Sequence, residues 1–443
     1  MGSSIESASY GGMADFKAIY YGARAVMHHQ DPYNPGELQQ VYEAEGGKLP
    51  SKPNMRALFA RAVFPCINLP TSLFLVAPLA MMAWEPAHLL WMALIAGGLI
   101  LAGFLMWSLA RDYAPRLSLL LVCIVLANTV ILLSCGNAAG IVIALCIAAV
   151  WCFLKNRFVP AGILCLGIAL AIKPHDVGFI WLYFVLAGGV RRKWALQSLI
   201  VVAALALPAV LWVSPASPHW IQEMHSNLAM GSAHGGLNDP GPSAIGFRGP
   251  SAEMVIDLQS VISLFSNDPR IYNPISFLIC GVLLLAGAWR TLRLGFSERN
   301  AWFALASIAA FSLLPVYHRQ YDAKLLLLTV PACALLWAEG GLVGRLGCMM
   351  NLAAIVLTAD IPATVLGIAY THLPAHAAGV LDKLLTVLLM RNAVFILLAL
   401  GIFYLWVYLR RTAPETSEAT VVAQDPAGAS RERNAEAVPC TAP

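Results

Sequence analysis

The chain has 443 residues, of which 59% are hydrophobic and only 12% are charged, a composition typical of a polytopic membrane protein and not of a soluble domain. The net charge of +4 is small and the basic residues are dispersed, which excludes a nucleic-acid-binding surface. Ten cysteines lie mostly in apolar runs with no Cys-x-x-Cys pair and no histidine at metal-ligand spacing beside them. We therefore expect neither a disulfide framework nor a metal site, and no cofactor.

Residues 1–66 precede the first long apolar segment and are predicted to form a loop that carries short helices. Apolar residues recur at helical spacing from Phe16 to Met27, which predicts an amphipathic helix lying on the membrane surface. Asp15 stands at the predicted N-cap, where a carboxylate accepts hydrogen bonds from free backbone N–H groups. The sequence from Asn34 to Glu37 predicts the start of a second surface helix over about 35–45.

Twelve apolar segments follow, and several are shorter than the roughly 20 residues that a membrane-spanning helix needs. We therefore predict an all-α bundle over 67–409 with about 11–12 membrane segments. The segments are 67–84, 88–110, 117–134, 137–153, 158–172, 177–190, 195–213, 274–290, 301–316, 323–338, 346–369 and 389–409. The long interior loop over 214–273 contains an amphipathic stretch, 254–265, predicted to lie at the membrane interface. The polar residues 410–443 are predicted to form a disordered cytoplasmic tail.

Short basic loops alternate with the segments from 111 onward, which predicts that these loops are cytoplasmic. The remaining turns then lie on the outer face: 136–137, 173–176, 214–273, 317–322 and 370–385. If all twelve segments cross, Asp15 lies on the opposite side from these turns. We predict that 67–84 enters the membrane only partway. Its prolines and Asn68 disrupt backbone hydrogen bonds of the helix, and lipid offers no groups to replace them.

Two of the outer turns concentrate polar side chains. Lys173-Pro174-His175-Asp176 places three ionisable groups at a helix end, and charges at membrane depth are costly unless they face a cavity or a partner. The alternative is a snorkelling lysine beside an ordinary turn. In Tyr317-His318-Arg319-Gln320-Tyr321-Asp322, arginine and histidine suit phosphate oxygens, and tyrosine and aspartate suit hydroxyls. The alternative there is an interfacial loop whose Arg–Asp pair satisfies itself.

Asn137 interrupts an apolar stretch after Gly136. Its amide is suited to binding a substrate hydroxyl and equally suited to capping the helix that starts at Ala138. The sequence alone leaves both roles open.

Together these residues resemble the integral-membrane glycosyltransferases of family 87. The resemblance rests on Asp15-Phe16, Tyr20-Tyr21, Ala23-Arg24-Ala25, Asp31-Pro32-Tyr33, Gly136-Asn137, Lys173-Pro174, His318 and Tyr321-Asp322. Members of this family are GT-C-type enzymes and include polyprenyl-phosphate-mannose-dependent mannosyltransferases of the bacterial envelope. Two departures stand out: the chain has no membrane helix before the aspartate, and Asn137 stands where many relatives have glutamine.

The resemblance implies a GT-C helical bundle with short surface helices in its first outer loop. It implies Asp15 as the catalytic residue and His318, Arg319 and Lys173 as ligands of the donor phosphate. Further candidates for contact with the sugar or the acceptor are Tyr20, Asn137, His175, Asp176, Tyr321 and Asp322. The expected partners are a polyprenyl-phosphate sugar, a lipid-linked or glycan acceptor and membrane lipids.

The expected function is a hexosyltransferase of the bacterial inner membrane, active on its outer face. Such a reaction needs a base for the acceptor hydroxyl and cations for the departing phosphate, and inversion follows because no second carboxylate is evident as a nucleophile. The alternative is a transporter or lipid flippase that uses Lys173, His175, Asp176 and His318 as a substrate or proton path. A transporter typically has internal repeats, and none is evident in the sequence.

Overall fold

The structure, a computed structural model, describes residues 12–243, 255–372 and 379–410. Within these ranges the chain forms twenty α-helices and one 3₁₀ helix, and the only β-type pairing is an isolated bridge between Val255 and Arg319. The α-helices are α1 Ala14–Met27, α2 Pro35–Ala44, α3 Pro53–Val63, α4 Pro70–Ala80, α5 Trp84–Ala110, α6 Pro115–Ala127, α7 Val130–Cys135, α8 Ala139–Lys155, α9 Val159–Ile172, α10 Pro174–Ala187, α11 Gly189–Val213, α12 Trp220–Ser232, α13 Gln259–Ile262, α14 Pro269–Arg293, α15 Glu298–Phe311, α16 Val330–Glu339, α17 Gly341–Leu357, α18 Asp360–His372, α19 Val380–Met390 and α20 Asn392–Arg410. The 3₁₀ helix, Gln320–Thr329, leads directly into α16.

All twelve predicted apolar segments coincide with helices, which confirms an all-α polytopic membrane protein. Six helices in the described ranges are long and apolar enough to cross a membrane, or seven if the bent pair α17 and α18 is one span. The six are Trp84–Ala110, Pro115–Cys135, Gly189–Val213, Pro269–Arg293, Gln320–Glu339 and Asn392–Arg410. Four shorter apolar helices, α4, α8, α9 and α10, account for further predicted segments. Residues 411–443 of the predicted disordered tail and 373–378 of the predicted 370–385 loop fall outside the described residues. The described part of that loop is largely helical, because α18 extends to His372 and α19 starts at Val380, and Arg410 ends α20.

The first helix is buried, in contrast to the predicted surface helix. Ten of the fourteen residues of α1 are buried, because α2, α3 and α4 pack around it. Even Lys17 on its polar side is covered, with its ammonium 5.3 Å from the centre of the Phe59 ring and 5.5 Å from that of Trp84. These rings replace water around the cation by cation–π contact. Desolvation by burial lowers the pKa of Lys17 to about 8.

The predicted N-cap of α1 is also two positions off. Met13 is the N-cap residue, with φ of 62°, and Asp15 lies inside the first helical turn. The carboxylate of Asp15 is therefore not used to cap its own helix. The second predicted helix is confirmed as α2, where the Asn34 side chain accepts hydrogen bonds from the backbone N–H groups of Gly36 and Glu37.

The predicted partial crossing over 67–84 corresponds to α4, which is 11 residues long and contains Pro78. That is about half the length that a crossing helix needs. The helix packs against α1, α9 and α11.

The stretch over 255–265 lies largely inside the protein, not at a membrane interface as predicted. Ile256, Leu258, Val261 and Leu264 are buried. The backbone N–H groups of Ile256 and Leu258 donate to the carbonyls of His318 and Leu314. The hydrophobic pattern is the same for a face buried in protein and a face buried in lipid, so the sequence did not separate the two.

Candidate functional site

Four chain segments that are distant in sequence bring their polar side chains together: the start of α1, the turn before α8, the junction of α9 and α10, and the turn before the 3₁₀ helix. Each lies at a helix end or a turn, where the backbone hydrogen bonds of a helix are interrupted. Gly136 ends α7 in the left-handed conformation with φ of 65°, which glycine adopts at little cost. Pro174 stops α9 at Ile172 and starts α10, because proline disfavours helical geometry in the residue before it.

Asn137 links the first of these segments to the last. Its Nδ2 donates to Asp15 Oδ2 at 2.7 Å and to the Tyr321 hydroxyl at 3.0 Å. Its Oδ1 accepts from the backbone N–H of Ala139 at 2.8 Å. One side of the amide thus accepts from the first N–H group of α8, as a capping role requires, and the other side holds the Asp15 carboxylate. The binding of a substrate hydroxyl by Asn137 stays a prediction.

The turn that carries Asn137 is fitted closely against α1. The backbone N–H of Met13 donates to the Ser134 carbonyl at 2.5 Å, and the Trp91 indole donates to the Gly136 carbonyl at 2.8 Å. A Cβ atom on Gly136 would lie 2.7 Å from Met13 Cε and 2.9 Å from Phe16 Cβ. The absence of a side chain at Gly136 is what lets α1 approach and places Asp15 beside Asn137.

Lys173 joins two carboxylates from different parts of the chain. Its Nζ lies 3.0 Å from Asp176 Oδ2 and 3.2 Å from Asp322 Oδ1. Asp176 and Asp322 are almost completely buried, whereas the Lys173 side chain is 19% exposed. Asp322 also accepts from the backbone N–H of Arg319 at 2.9 Å, which fixes the start of the 3₁₀ helix. Lys173 is therefore the cation of this cluster that is most open to a ligand.

Two histidines converge on the remaining oxygen of Asp176. His175 Nε2 lies 3.1 Å from Asp176 Oδ1, and His318 Nε2 lies 3.5 Å from the same atom. The His318 ring is completely buried, and its Nδ1 lies 2.9 Å from the Val316 carbonyl. His175 is exposed, with 47% of its side chain accessible.

Arg319 is buried and holds the long loop onto the site. Its guanidinium donates to the Tyr317 hydroxyl and, at 3.1 Å, to the Leu237 carbonyl. Its backbone pairs with Val255 in the isolated bridge. The 7% exposure of Arg319 means that a phosphate would reach its guanidinium only if the Leu237 segment moved.

The pKa of Asp15 is raised above its usual value because the carboxyl is desolvated by burial among protein groups. The hydrogen bond from Asn137 and the charges of Arg319 and Lys173 act in the opposite direction. A carboxylate with a raised pKa is a better proton acceptor than one in water. Asp15 nonetheless keeps part of its surface accessible, as a group that must meet a substrate requires.

The structure thus brings together nine of the ten predicted site residues. They are Asp15, Asn137, Lys173, His175, Asp176, His318, Arg319, Tyr321 and Asp322. Tyr20 does not join them, because it is buried among aromatic rings and its hydroxyl donates to the Met82 carbonyl at 2.7 Å. Lys173 engages Asp176 through Oδ2 and Asp322 through Oδ1, so these two oxygens are not available to a ligand.

Sequence reasoning missed one buried acid beside the site. Asp257 is completely buried, its Oδ1 accepts from the backbone N–H of Ser260 at 2.7 Å, and burial raises its pKa to about 6. It follows Ile256, whose N–H is bonded to the His318 carbonyl. The signal available in the sequence was a single aspartate within an otherwise apolar stretch.

One comparison with known proteins gives a match. The sequence model of glycosyltransferase family 87 matches residues 67–246, a range that contains Asn137, Lys173, His175 and Asp176. Neither a curated protein nor a solved structure matches the chain. The match confirms the resemblance to this GT-C-type family over residues 67–246, less than half of the chain, and supports a membrane glycosyltransferase. Asp15 and the turn 317–322 lie outside the matched range.

Proposed function

With the match to glycosyltransferase family 87 as the premise, we propose that the protein transfers a sugar, mannose in the first instance, from a polyprenyl-phosphate donor to a glycan or glycolipid acceptor of the bacterial envelope. The reaction takes place on the outer face of the inner membrane and inverts the anomeric configuration. The observation that carries the proposal is the position of Asp15, a partly accessible carboxylate held by Asn137 next to a cluster that contains Lys173 and Arg319.

In this reaction Asp15 is the general base. Its carboxylate accepts the proton of the acceptor hydroxyl while the hydroxyl oxygen attacks the anomeric carbon, a step that general bases accelerate by about 10²–10⁴-fold. The raised pKa favours this proton transfer. Asn137 keeps the carboxylate in place through the hydrogen bond to Oδ2.

The leaving group is the lipid phosphate, which gains negative charge as the bond to the sugar breaks. Lys173 is the accessible cation that meets it, and cations fixed in advance at a developing charge stabilise the transition state most effectively. His318 and Arg319 support the phosphate site from deeper positions. We assign Tyr321 to the sugar side, since its hydroxyl accepts from the same Asn137 amide that holds Asp15.

The test is transfer of radiolabelled mannose from polyprenyl-phosphate mannose to native lipids in membranes that contain the protein. Asp15→Asn keeps the size of the side chain and removes the base, so transfer should fall by about 10²–10⁴-fold. Asp112→Asn is the matched control, because the Asp112 side chain is 80% exposed beside Arg111 and should leave transfer unchanged. Undiminished transfer by Asp15→Asn would refute the role of Asp15.

A wild-type protein that transfers sugar from a different lipid phosphate, and not mannose, would correct the donor while leaving the base assignment intact. Failure with every polyprenyl-phosphate sugar would refute the proposed donor class.

A further inference from the structure

Three possible metal-ligand atoms of the cluster converge on one small volume. His175 Nε2, Asp176 Oδ1 and His318 Nε2 all lie within 4.8 Å of one another. Asp176 and His318 are 3% and 0% exposed. Neither Asp176 Oδ1 nor His318 Nε2 has a hydrogen-bond partner, and buried polar atoms of this kind are costly unless something satisfies them.

The orientation of His318 leaves its free nitrogen facing this volume. Nδ1 lies at hydrogen-bond distance from the Val316 carbonyl, which can only accept, so Nδ1 carries a proton. In a neutral imidazole Nε2 is then a bare acceptor. An N–H to carbonyl bond on the far side of the ring is the arrangement by which proteins orient metal-ligating histidines.

A proton on His318 Nε2 is the competing way to satisfy these atoms, and the distances argue against it. Charge-assisted N–H···O hydrogen bonds are about 2.7–2.9 Å long, whereas His318 Nε2 and Asp176 Oδ1 are 3.5 Å apart. Two ligands bonded at about 2.1 Å to a tetrahedral ion lie about 3.4 Å from each other. Asp176 Oδ1 lies 3.1 Å from His175 Nε2 and 3.5 Å from His318 Nε2. Both distances are close to this ligand–ligand distance.

The charges around the carboxylates leave room for a cation. Lys173 neutralises only one of the two carboxylates that it contacts, Asp176 and Asp322, so one negative charge remains. Lys173 also occupies Asp176 Oδ2, which restricts Asp176 to binding a metal through Oδ1 alone. His175 lies at the solvent side and provides an entry path.

We propose that His175, Asp176 and His318 bind a divalent transition-metal ion of the Zn²⁺ class. Two imidazole nitrogens and one carboxylate oxygen form a ligand set that zinc uses in sites with an open fourth position. Metal binding itself does not depend on the transferase activity. A role for the metal in the reaction rests on the proposed function. In that role, the open coordination position would bind an oxygen of the donor phosphate next to Lys173.

No metal-ligand spacing is evident in the sequence because His318 is separated from His175 and Asp176 by more than a hundred residues. The turn before the 3₁₀ helix supplies the third ligand only in the folded chain.

The test uses the full chain, purified in detergent and stripped with EDTA, without any sugar donor. Equilibrium dialysis against ZnCl₂ with elemental analysis should give one Zn²⁺ per chain, and CoCl₂ should give the visible absorption of tetrahedral Co²⁺. His175→Ala should weaken binding by at least tenfold, and it should fold because His175 is exposed. Asp176→Asn should also weaken binding.

His234→Ala is the matched control. His234 lies 3.9 Å from Asp239 as a histidine–carboxylate pair outside the proposed site, and among the described residues it belongs to no group of three metal-ligating side chains. Its removal should leave Zn²⁺ binding unchanged. No saturable binding by the wild type, or binding that His175→Ala leaves unchanged, would overturn the proposal. Because no donor is present, this outcome is separate from any failure of the transferase assay.

Discussion

At the scale of single residues, Asp15 shows how two opposed effects set the properties of one carboxyl. Burial raises its pKa, and the amide of Asn137 together with the nearby cations limits the rise. Only the deprotonated carboxylate can act as a base, so the pKa of Asp15 sets the acid limb of the pH profile of the reaction rate.

Replacement of Asn137 by alanine should move the acid limb to higher pH. Asn137 donates to the charged form of Asp15, so its loss removes a hydrogen bond that lowers the pKa of Asp15, and burial then raises that pKa further. The measurement is the pH profile of kcat/KM for mannose transfer, which reports groups of the free enzyme. Asn128→Ala serves as the control, because the Asn128 amide donates to the Ile124 carbonyl at the end of α6, at 2.7 Å. An acid limb that stays in place or moves to lower pH would contradict the assignment.

Lys173 is expected to matter for stability as well as for the phosphate. Lys173→Met leaves Asp176 and Asp322 buried without their shared cation, and breaking a buried ion pair in this way costs about 3–5 kcal/mol. Thermal unfolding in detergent measures the loss. Lys155→Met removes a comparable contact, 2.7 Å from Glu298, but both of those side chains are more than one third exposed, so its cost should stay below about 1 kcal/mol. Equal losses in the two variants would show that the cluster is not desolvated.

At the scale of helices, the site depends on how closely α1 approaches the turn before α8. Periodicity predicted α1 and the pairing of Asn34 with Glu37 predicted α2, because these signals are local. The burial of α1 was not predictable, since Lys17, Tyr21 and Arg24 form a polar face that the rings of Trp84 and Phe59 and the carboxylate of Glu45 then cover. The contact between Asn137 and Asp15 was equally hidden, because it joins residues 122 positions apart.

Gly136→Ala tests this approach. The new methyl group would contact Met13 and Phe16 below 3.0 Å and would also occupy a left-handed conformation, which costs about 1–3 kcal/mol. We expect α1 to shift, with loss of stability and a larger loss of transfer.

Gly46→Ala provides the control for Gly136→Ala. It has φ of 84° but no atom within 4 Å of the added Cβ, so it adds the backbone strain without the clash. Thermal unfolding and mannose transfer should be measured for both variants. If Gly46→Ala and Gly136→Ala affected transfer equally, the close approach would not be what places Asp15.

At the scale of the whole molecule, the first loop and the long loop form one packed region. Asn227 Nδ2 in α12 donates to the carbonyls of Tyr33 and Cys66 at 2.9 and 3.1 Å, and the rings of Tyr33 and Trp220 lie 6.3 Å apart. The sequence predicted the helical segments from hydropathy and predicted the sides from basic loops. The side of the membrane on which Asp15 lies depended on whether 67–84 crosses. The helix in that segment, α4, is too short to span the hydrocarbon layer.

These contacts predict that residues 28–66 and 214–243 lie on the same side of the membrane. Gln40→Cys and His225→Cys, both at exposed positions, should react alike with a membrane-impermeant maleimide in intact cells, in a background without reactive native cysteines. Lys155→Cys, in a basic loop, should react only after the membrane is permeabilised. Labelling of Gln40→Cys and His225→Cys from opposite sides would contradict the packing.

The ten-residue 3₁₀ helix also sets how far the chain reaches through the bilayer. A 3₁₀ helix rises about 2.0 Å per residue and an α-helix about 1.5 Å, so Gln320–Thr329 and the ten residues of α16 together extend about 35 Å. The same twenty residues wound entirely as α-helix would extend about 30 Å, roughly the thickness of the hydrocarbon layer. The tighter winding thus adds about 5 Å to the length of this span, at the end that carries the turn with His318 and Arg319.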